Sequence, residues 1–288
     1  MNGVLAAILS SMLGGSAAAI TRYVIGATDP VTLAAFRFGI GFVLVLPIAL
    51  YLGSRFPRGR DMAWVAALGV LFFSFFFVLY NVAMSFTSAA RGSLALSCLP
   101  LTTMLVAAGF RKETFSTRKI TGIFVAIGGV ALALWTGLGD APPQAWRGDL
   151  LMAAATLCMA LYNVWSRPLM ARSSMLGFLA AGMGFGAAAS VLLSWQTGGF
   201  HLVQSFEKEQ WMAVTALGVF GGAAAFYLWV YALERTTPTR VANTMTVNPL
   251  AASLLAAVLI GEPLGWHLLA GIAAVGAGIW IASTEAAR

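Results

Sequence analysis

A chain of 288 residues that is 60% hydrophobic and only 9% charged cannot cover itself with polar surface. Soluble domains carry about 25% charged residues, so a water-exposed globule is excluded and an exterior facing lipid is predicted. The net charge of +7 builds no nucleic-acid face, because the basic residues sit in short clusters between apolar runs.

A bilayer core takes about 20 apolar residues per helix. Cutting the chain at charges, Pro and Gly leaves ten such stretches: 3–25, 31–52, 62–84, 88–110, 116–137, 148–170, 174–195, 209–233, 237–260 and 264–284. The first resembles a signal peptide but lacks a positive leading region and stays apolar to Ile20, so it reads as a membrane helix. The second carries Arg37 about two turns inside, among Ala34, Ala35, Gly39 and Gly41, where close helix packing is permitted. A structural role is favoured there, with contact to a substrate carboxylate as the other use.

In the third stretch Phe73, Phe77 and Tyr80 share a face, and the run from Phe72 to Phe77 partly faces lipid. In the fourth, Ser93, Ser97 and Pro100 share a face, and Pro100 frees the carbonyl of Leu96. Glu113 precedes the fifth, where a carboxylate complements the helix dipole and caps free N–H groups. The sixth places Thr156 and Asn163 on one face, and an amide can donate to a carboxylate and accept from an ammonium. Helix–helix bonding is the structural alternative for Asn163. The eighth sets Tyr227 and Tyr231 beside Trp229. The ninth holds Asn243, Thr246 and a second interior proline, Pro249, and Glu262 opens the tenth.

Phe77, Tyr80, Ser93, Ser97, Pro100, Thr156, Asn163, Tyr227, Asn243, Thr246 and Pro249 are therefore the candidates for a substrate cavity, apolar walls with a few polar groups. Glu113 and Glu262 are helix-start caps or, on the other reading, proton-coupling groups. Cys98 and Cys158 lie in apolar runs, and His201 and His267 stand apart. No metal site, cofactor site, phosphate loop or nucleophile–base pair is predicted, so an enzyme is not expected.

Basic residues set the orientation. The N-terminal side collects Arg55, Arg58, Arg60, Arg111, Lys112, Arg118, Lys119, Arg167, Arg172, Arg235, Arg240 and Arg288. The other side has Arg22, Arg91, Arg147 and Lys208, so both termini are predicted to be cytoplasmic. Pro100 matches Pro249, Arg91 matches Arg240 and Glu113 matches Glu262, each 149 positions apart. Two copies of five helices each, an odd number, enter the membrane in opposite senses. The expected architecture is all-α, ten helices in two inverted repeats, 1–138 and 148–288, joined by a linker over 139–147.

The segment LIGEPLGWHLLAGIAAVGAGIWI (259–281), the Pro-led VNPLAASLLAAVL (247–259), their weaker counterparts at 98–108 and 112–132, and DPVTLAAFRFGIGFVLVLP (29–47) resemble the EamA-type drug/metabolite transporter superfamily. The resemblance covers essentially the whole chain, and the aromatic amino acid exporters within it are similar in length and in their aromatic third and eighth helices. It implies a ten-helix fold in a bacterial inner membrane and export of metabolites. With no carboxylate expected at membrane depth, a facilitated exporter of neutral or zwitterionic amino acids, such as aromatic ones, Met and Thr, working as a monomer by alternating access, is the expected function. Efflux of drugs or another small metabolite is the alternative.

Overall fold

The computed structural model describes residues 2–24, 27–84, 86, 89–113, 116–135, 144–251, 254 and 266–283. Among them no strand occurs. The α-helices are α1 (Gly3–Val24), α2 (Pro30–Tyr51), α3 (Arg60–Val70), α4 (Phe77–Met84), α5 (Ala89–Leu96), α6 (Leu99–Gly109) and α7 (Thr117–Ala133). They continue as α8 (Ala145–Arg172), α9 (Met175–Thr197), α10 (Lys208–Ala216), α11 (Ala225–Arg235), α12 (Pro238–Asn243) and α13 (Trp266–Ser283). Most of the predicted linker and the whole of Glu262 lie outside the described residues.

Local chemistry sets the boundaries. Asp29 caps α2 by accepting from the N–H groups of Val31 and Thr32, with Pro30 in the first turn, where its missing donor costs nothing. Ser174 caps α9 through the Gly177 N–H, and Gly198 closes that helix at φ 74°, a conformation glycine reaches without steric cost. Asp61 at the start of α3 pairs with Arg172 at the end of α8 through two bonds of 2.8 Å, joining the ends of two long helices.

Among the described residues, five helical spans are long and apolar enough to cross a bilayer: Pro30–Tyr51, Arg60–Ala83, Ala145–Arg172, Met175–Thr197 and Lys208–Arg235. Shorter apolar helices cover Gly3–Ala17, Leu94–Gly109 and Leu269–Ala282. Large apolar side chains point outward along them, and Tyr51, Trp195 and Trp266 at helix ends are 90%, 77% and 73% exposed. Aromatic residues at helix ends suit the headgroup layer, so the molecule is built as an integral membrane protein.

Small residues bring the helices together. A Cβ on Gly122 would lie 2.6 Å from the Gly278 carbonyl oxygen, and one on Gly271 would lie 2.6 Å from that of Gly129. α7 and α13 therefore cross backbone against backbone. α2 lies along α9, α1 along α11, and α8 against α4 and α6.

Among the described residues, four of the long apolar stretches depart from regular α-helix. α3 runs into α4 through a π-turn at Leu71–Phe76, and α10 into α11 through another at Leu217–Ala224. The first gathers Phe72, Phe73 and Phe76 into the interior and leaves Phe75 half exposed, so the run Phe72–Phe77 turns mostly inward. The fourth predicted stretch is broken outright: α5 stops at Leu96, the chain turns at Ser97–Cys98, and α6 restarts with Pro100 in its first turn. A proline at that position needs no N–H partner, so a break with a fresh start replaces the expected kink. Upstream of Pro249 the chain tightens into a 3-10 turn at Thr244–Thr246.

Candidate functional site

α6, α8 and α12 touch one another, α11 touches α8 and α12, and the buried polar side chains of these helices form the centre of the site. Asn163 on α8 is wholly buried; its Oδ1 accepts from the Trp229 indole N–H at 2.9 Å, and its Nδ2 has no partner. Asn243, which ends α12, is 1% exposed and leaves both its Oδ1 and its Nδ2 unpartnered. The hydroxyls of Tyr162 on α8, Thr103 on α6 and Thr239 on α12 are likewise buried without partners. An unpaired polar group in an apolar interior costs about 1–3 kcal/mol. Several on adjoining elements make this the candidate site, since a bound molecule or water would complete their bonding.

The neighbouring hydroxyls are used locally. Thr156 donates to the Met152 carbonyl at 2.7 Å and Thr246 to the Asn243 carbonyl at 2.7 Å, so each satisfies its own helix. Ser11 on α1 bonds the Thr244 hydroxyl at 3.0 Å, and Ser10 donates to the Ala225 carbonyl at 2.6 Å, fixing α1 to the 3-10 turn and to α11.

Beside this polar centre stands an aromatic group. Phe72 stacks on Tyr162 with centroids 4.3 Å apart, and Phe226 meets Phe72 at 5.4 Å and Phe73 at 5.2 Å. Phe38 lies 4.7 Å from Phe77. Into these rings projects Arg37, whose guanidinium is 4.8 Å from the Phe77 centroid and 5.9 Å from that of Phe226. Its Nε and Nη2 both donate to the Gly221 carbonyl, at 3.0 and 2.8 Å.

Of the residues the sequence points to, Asn163, Asn243, Thr246 and Thr156 are buried, and Phe77 is partly buried against the hydrophobic core. Ser97, Pro100 and Pro249 are buried at the breaks of their helices, and Tyr80 is half-buried beside Phe76. Tyr227 is 38% exposed and pairs with Tyr231; the rings that α11 turns inward are Phe226 and Trp229. The Ser93 side chain lies outside the described residues, as does Glu262. Glu113 does not cap α7. Its Oε1 accepts from the Thr239 N–H at the start of α12, and its Oε2 meets Lys119 Nζ at 3.0 Å. Ser116 begins α7 in extended backbone without a side-chain cap, leaving Glu113 free to reach across to the later helix.

Trp229, Tyr162 and Thr103 were not among those chosen. Trp229 had a signal, since Phe226, Trp229, Val230 and Leu233 recur at helical spacing on one face of α11 and all are buried.

The model of the EamA-like transporter family matches twice, over residues 1–135 and 146–284. An uncharacterized transporter of Archaeoglobus fulgidus is 24% identical over 93% of both chains. A protein of Streptantibioticus cattleyicolor named a probable terminal-alkyne amino-acid exporter is 28% identical over 78% of this chain and 74% of its own. A crystal structure superposes with a TM-score of 0.80 over 99% of both chains at 23% identity, a likeness of fold. The chain belongs to the EamA-like transporter family.

Proposed function

We propose that this transporter exports neutral or zwitterionic amino acids, aromatic ones included, from the cytoplasm across a bacterial inner membrane by alternating access. The observation that carries the reading is the pair of buried amides of Asn163, whose Nδ2 is unpartnered, and Asn243, unpartnered at both ends, with Trp229 bonded to Asn163 and Phe72 stacked on the adjacent Tyr162. Free Nδ2 groups donate to a carboxylate, the free Oδ1 of Asn243 accepts from an ammonium, and the rings take an apolar or aromatic side chain. The amino-acid exporter among the relatives supports the same class.

Symmetry supports the mechanism. Gly122 meets Gly278 and Gly129 meets Gly271; because 122 pairs with 271 and 129 with 278 at the repeat offset, the contact exchanges with itself under a two-fold operation. The π-turns fall at overlapping positions of the repeat, and the pairing of α1 with α11 mirrors that of α8 with α4. Ten helices in two inverted halves, termini inside, would exchange conformations to expose Asn163 and Asn243 first to one side and then to the other. The broken helices at Pro100 and Pro249 supply the bending points.

The test is uptake of labelled Phe, Met and Thr into liposomes containing the purified protein, with a pH gradient imposed or absent. Saturable, protein-dependent uptake indifferent to the gradient is expected. No uptake of any of the three by folded protein would overturn the substrate assignment.

A further inference from the structure

Arg37 is an anomaly for a membrane helix. It sits seven residues after Pro30, about 10 Å into α2 at the helical rise. A long basic side chain at that depth ordinarily extends toward the interface to keep its charge in water. Arg37 instead stays 9% exposed, surrounded by the rings of Phe38, Phe77 and Phe226. Among the described residues no carboxylate pairs with it, and its hydrogen-bond acceptor is a single neutral one, Gly221 O. Retaining a buried cation without a counter-ion is costly, and residues of this kind within membranes face substrate or ion pathways.

The acceptor is itself unusual. In the π-turn the Ala225 N–H donates to Phe220 and Gly222, passing over the Gly221 carbonyl that an α-helix would have given it. Arg37 rests on a carbonyl released by the irregular turn, a partner weaker than an anion and one that a carboxylate can displace. Three rings lie between the guanidinium and the polar centre: Phe226 lies beside Arg37, Phe72 packs on Phe226, and Tyr162, next to Asn163, stacks on Phe72.

We infer that Arg37 is the anion receptor of the transport site, and that the solute is a monocarboxylate with an apolar or aromatic body whose carboxylate takes the guanidinium from Gly221. This rests on the reading of the interior as a small-solute site, and it makes the carboxylate the required group and the ammonium secondary.

Wild-type protein in nanodiscs decides it by competition against labelled phenylalanine. 3-Phenylpropionate keeps the carboxylate and lacks the amine; phenethylamine has the reverse. 3-Phenylpropionate should compete within about tenfold of phenylalanine and phenethylamine at least about thirtyfold less well, the scale of losing one partner of a buried charge pair. Arg37→Gln should lose phenylalanine binding by a similar factor while its weak affinity for phenethylamine is unchanged, and Arg37→Lys should recover part of the loss. Phenethylamine competing as well as 3-phenylpropionate, or folded Arg37→Gln binding phenylalanine normally, overturns the receptor role and leaves the amino-acid reading standing. If Arg37→Gln does not fold, Arg37→Lys carries the residue test, with phenylalanine binding unchanged in it overturning the receptor role, and phenethylamine outcompeting 3-phenylpropionate on the wild type overturns it as well. Absence of binding by all three compounds overturns the amino-acid reading and the receptor role with it.

Discussion

Replacing Glu113 tests whether one carboxylate holds the two halves of the chain together. Its side chain is 4% exposed and that of Lys119 10%, so Glu113→Ala leaves a nearly buried ammonium unpaired. Removing one partner of such a pair costs about 3–5 kcal/mol. The Thr239 N–H loses its acceptor as well, worth about 1 kcal/mol as a helix cap. Both groups lie at helix ends, where Lys119 can turn toward water, so the lower end, about 3 kcal/mol, is expected. At about 2–4 °C per kcal/mol for a large domain, the melting temperature should fall by about 6–12 °C.

The assay is heating in detergent at a fixed scan rate, read by a thiol-reactive dye as unfolding uncovers Cys158, which is 7% exposed in the folded protein. Glu113→Gln keeps an acceptor for Thr239 and should fall less than Glu113→Ala. Lys119→Met on the Glu113→Ala background removes the stranded cation and should restore most of the loss, because an apolar replacement of a buried pair is often neutral. A Glu113→Ala protein melting within about 2 °C of wild type, or a double variant no better than the single, refutes the account.

Two further outcomes follow from the packing and the site. Gly122→Ala sets a methyl against the Gly278 carbonyl and should destabilise by about 1–3 kcal/mol, whereas Gly128→Ala, with nothing within 4 Å of its Cβ, should melt like wild type. Equal melting of the two variants in the same dye assay would refute the crossing. Asn163→Leu and Asn243→Leu should each lower phenylalanine flux in liposomes by about tenfold or more. The melting temperature should hold or rise for Asn243→Leu, which removes an amide unpartnered at both ends, and fall for Asn163→Leu, which strands the Trp229 indole N–H. A loss of folding with unchanged flux per folded molecule would contradict a site there.

Much of the frame was legible because bilayer thickness imposes a length that apolar runs reveal directly. Asp29-Pro30 announced the start of α2, and the repeat at 149 positions showed in its matched proline, arginine and glutamate. Pro100 announced an irregularity, though its consequence depended on whether the helix could restart, which a lone proline does not specify. The π-turns had no such mark: FFSFFF and GVFGGAA read as ordinary apolar helix, and only the packing around them decides their winding. Glu113 was correctly placed near a helix start, but the helix it serves lies 126 residues further on. Local pattern identifies a capping residue and is silent about which N–H it reaches through space.

The least legible feature is where the symmetry breaks. At the offset of 145 that pairs Arg22 with Arg167, Arg37 falls opposite Gly182. The backbones agree one turn further on: a Cβ on Gly41 would lie 3.4 Å from Gly222 C, and one on its counterpart Gly186 would lie 2.4 Å from the Cβ of Phe73, the counterpart of Gly222. The same crossing is thus made twice, and four residues before it one copy carries a guanidinium and the other no side chain. Among the described residues only the π-turn of the second half is bonded by a guanidinium, so conformations related by exchanging the halves would differ in energy. Hydrogen exchange of Arg37→Gln should show it: losing a charge-assisted bond worth about 1.5–3 kcal/mol should speed exchange across Leu217–Ala224 by about 10- to 100-fold, with Leu71–Phe76 unchanged. An equal change in both π-turns would mean that the clamp is no source of asymmetry and that the two halves respond as one body.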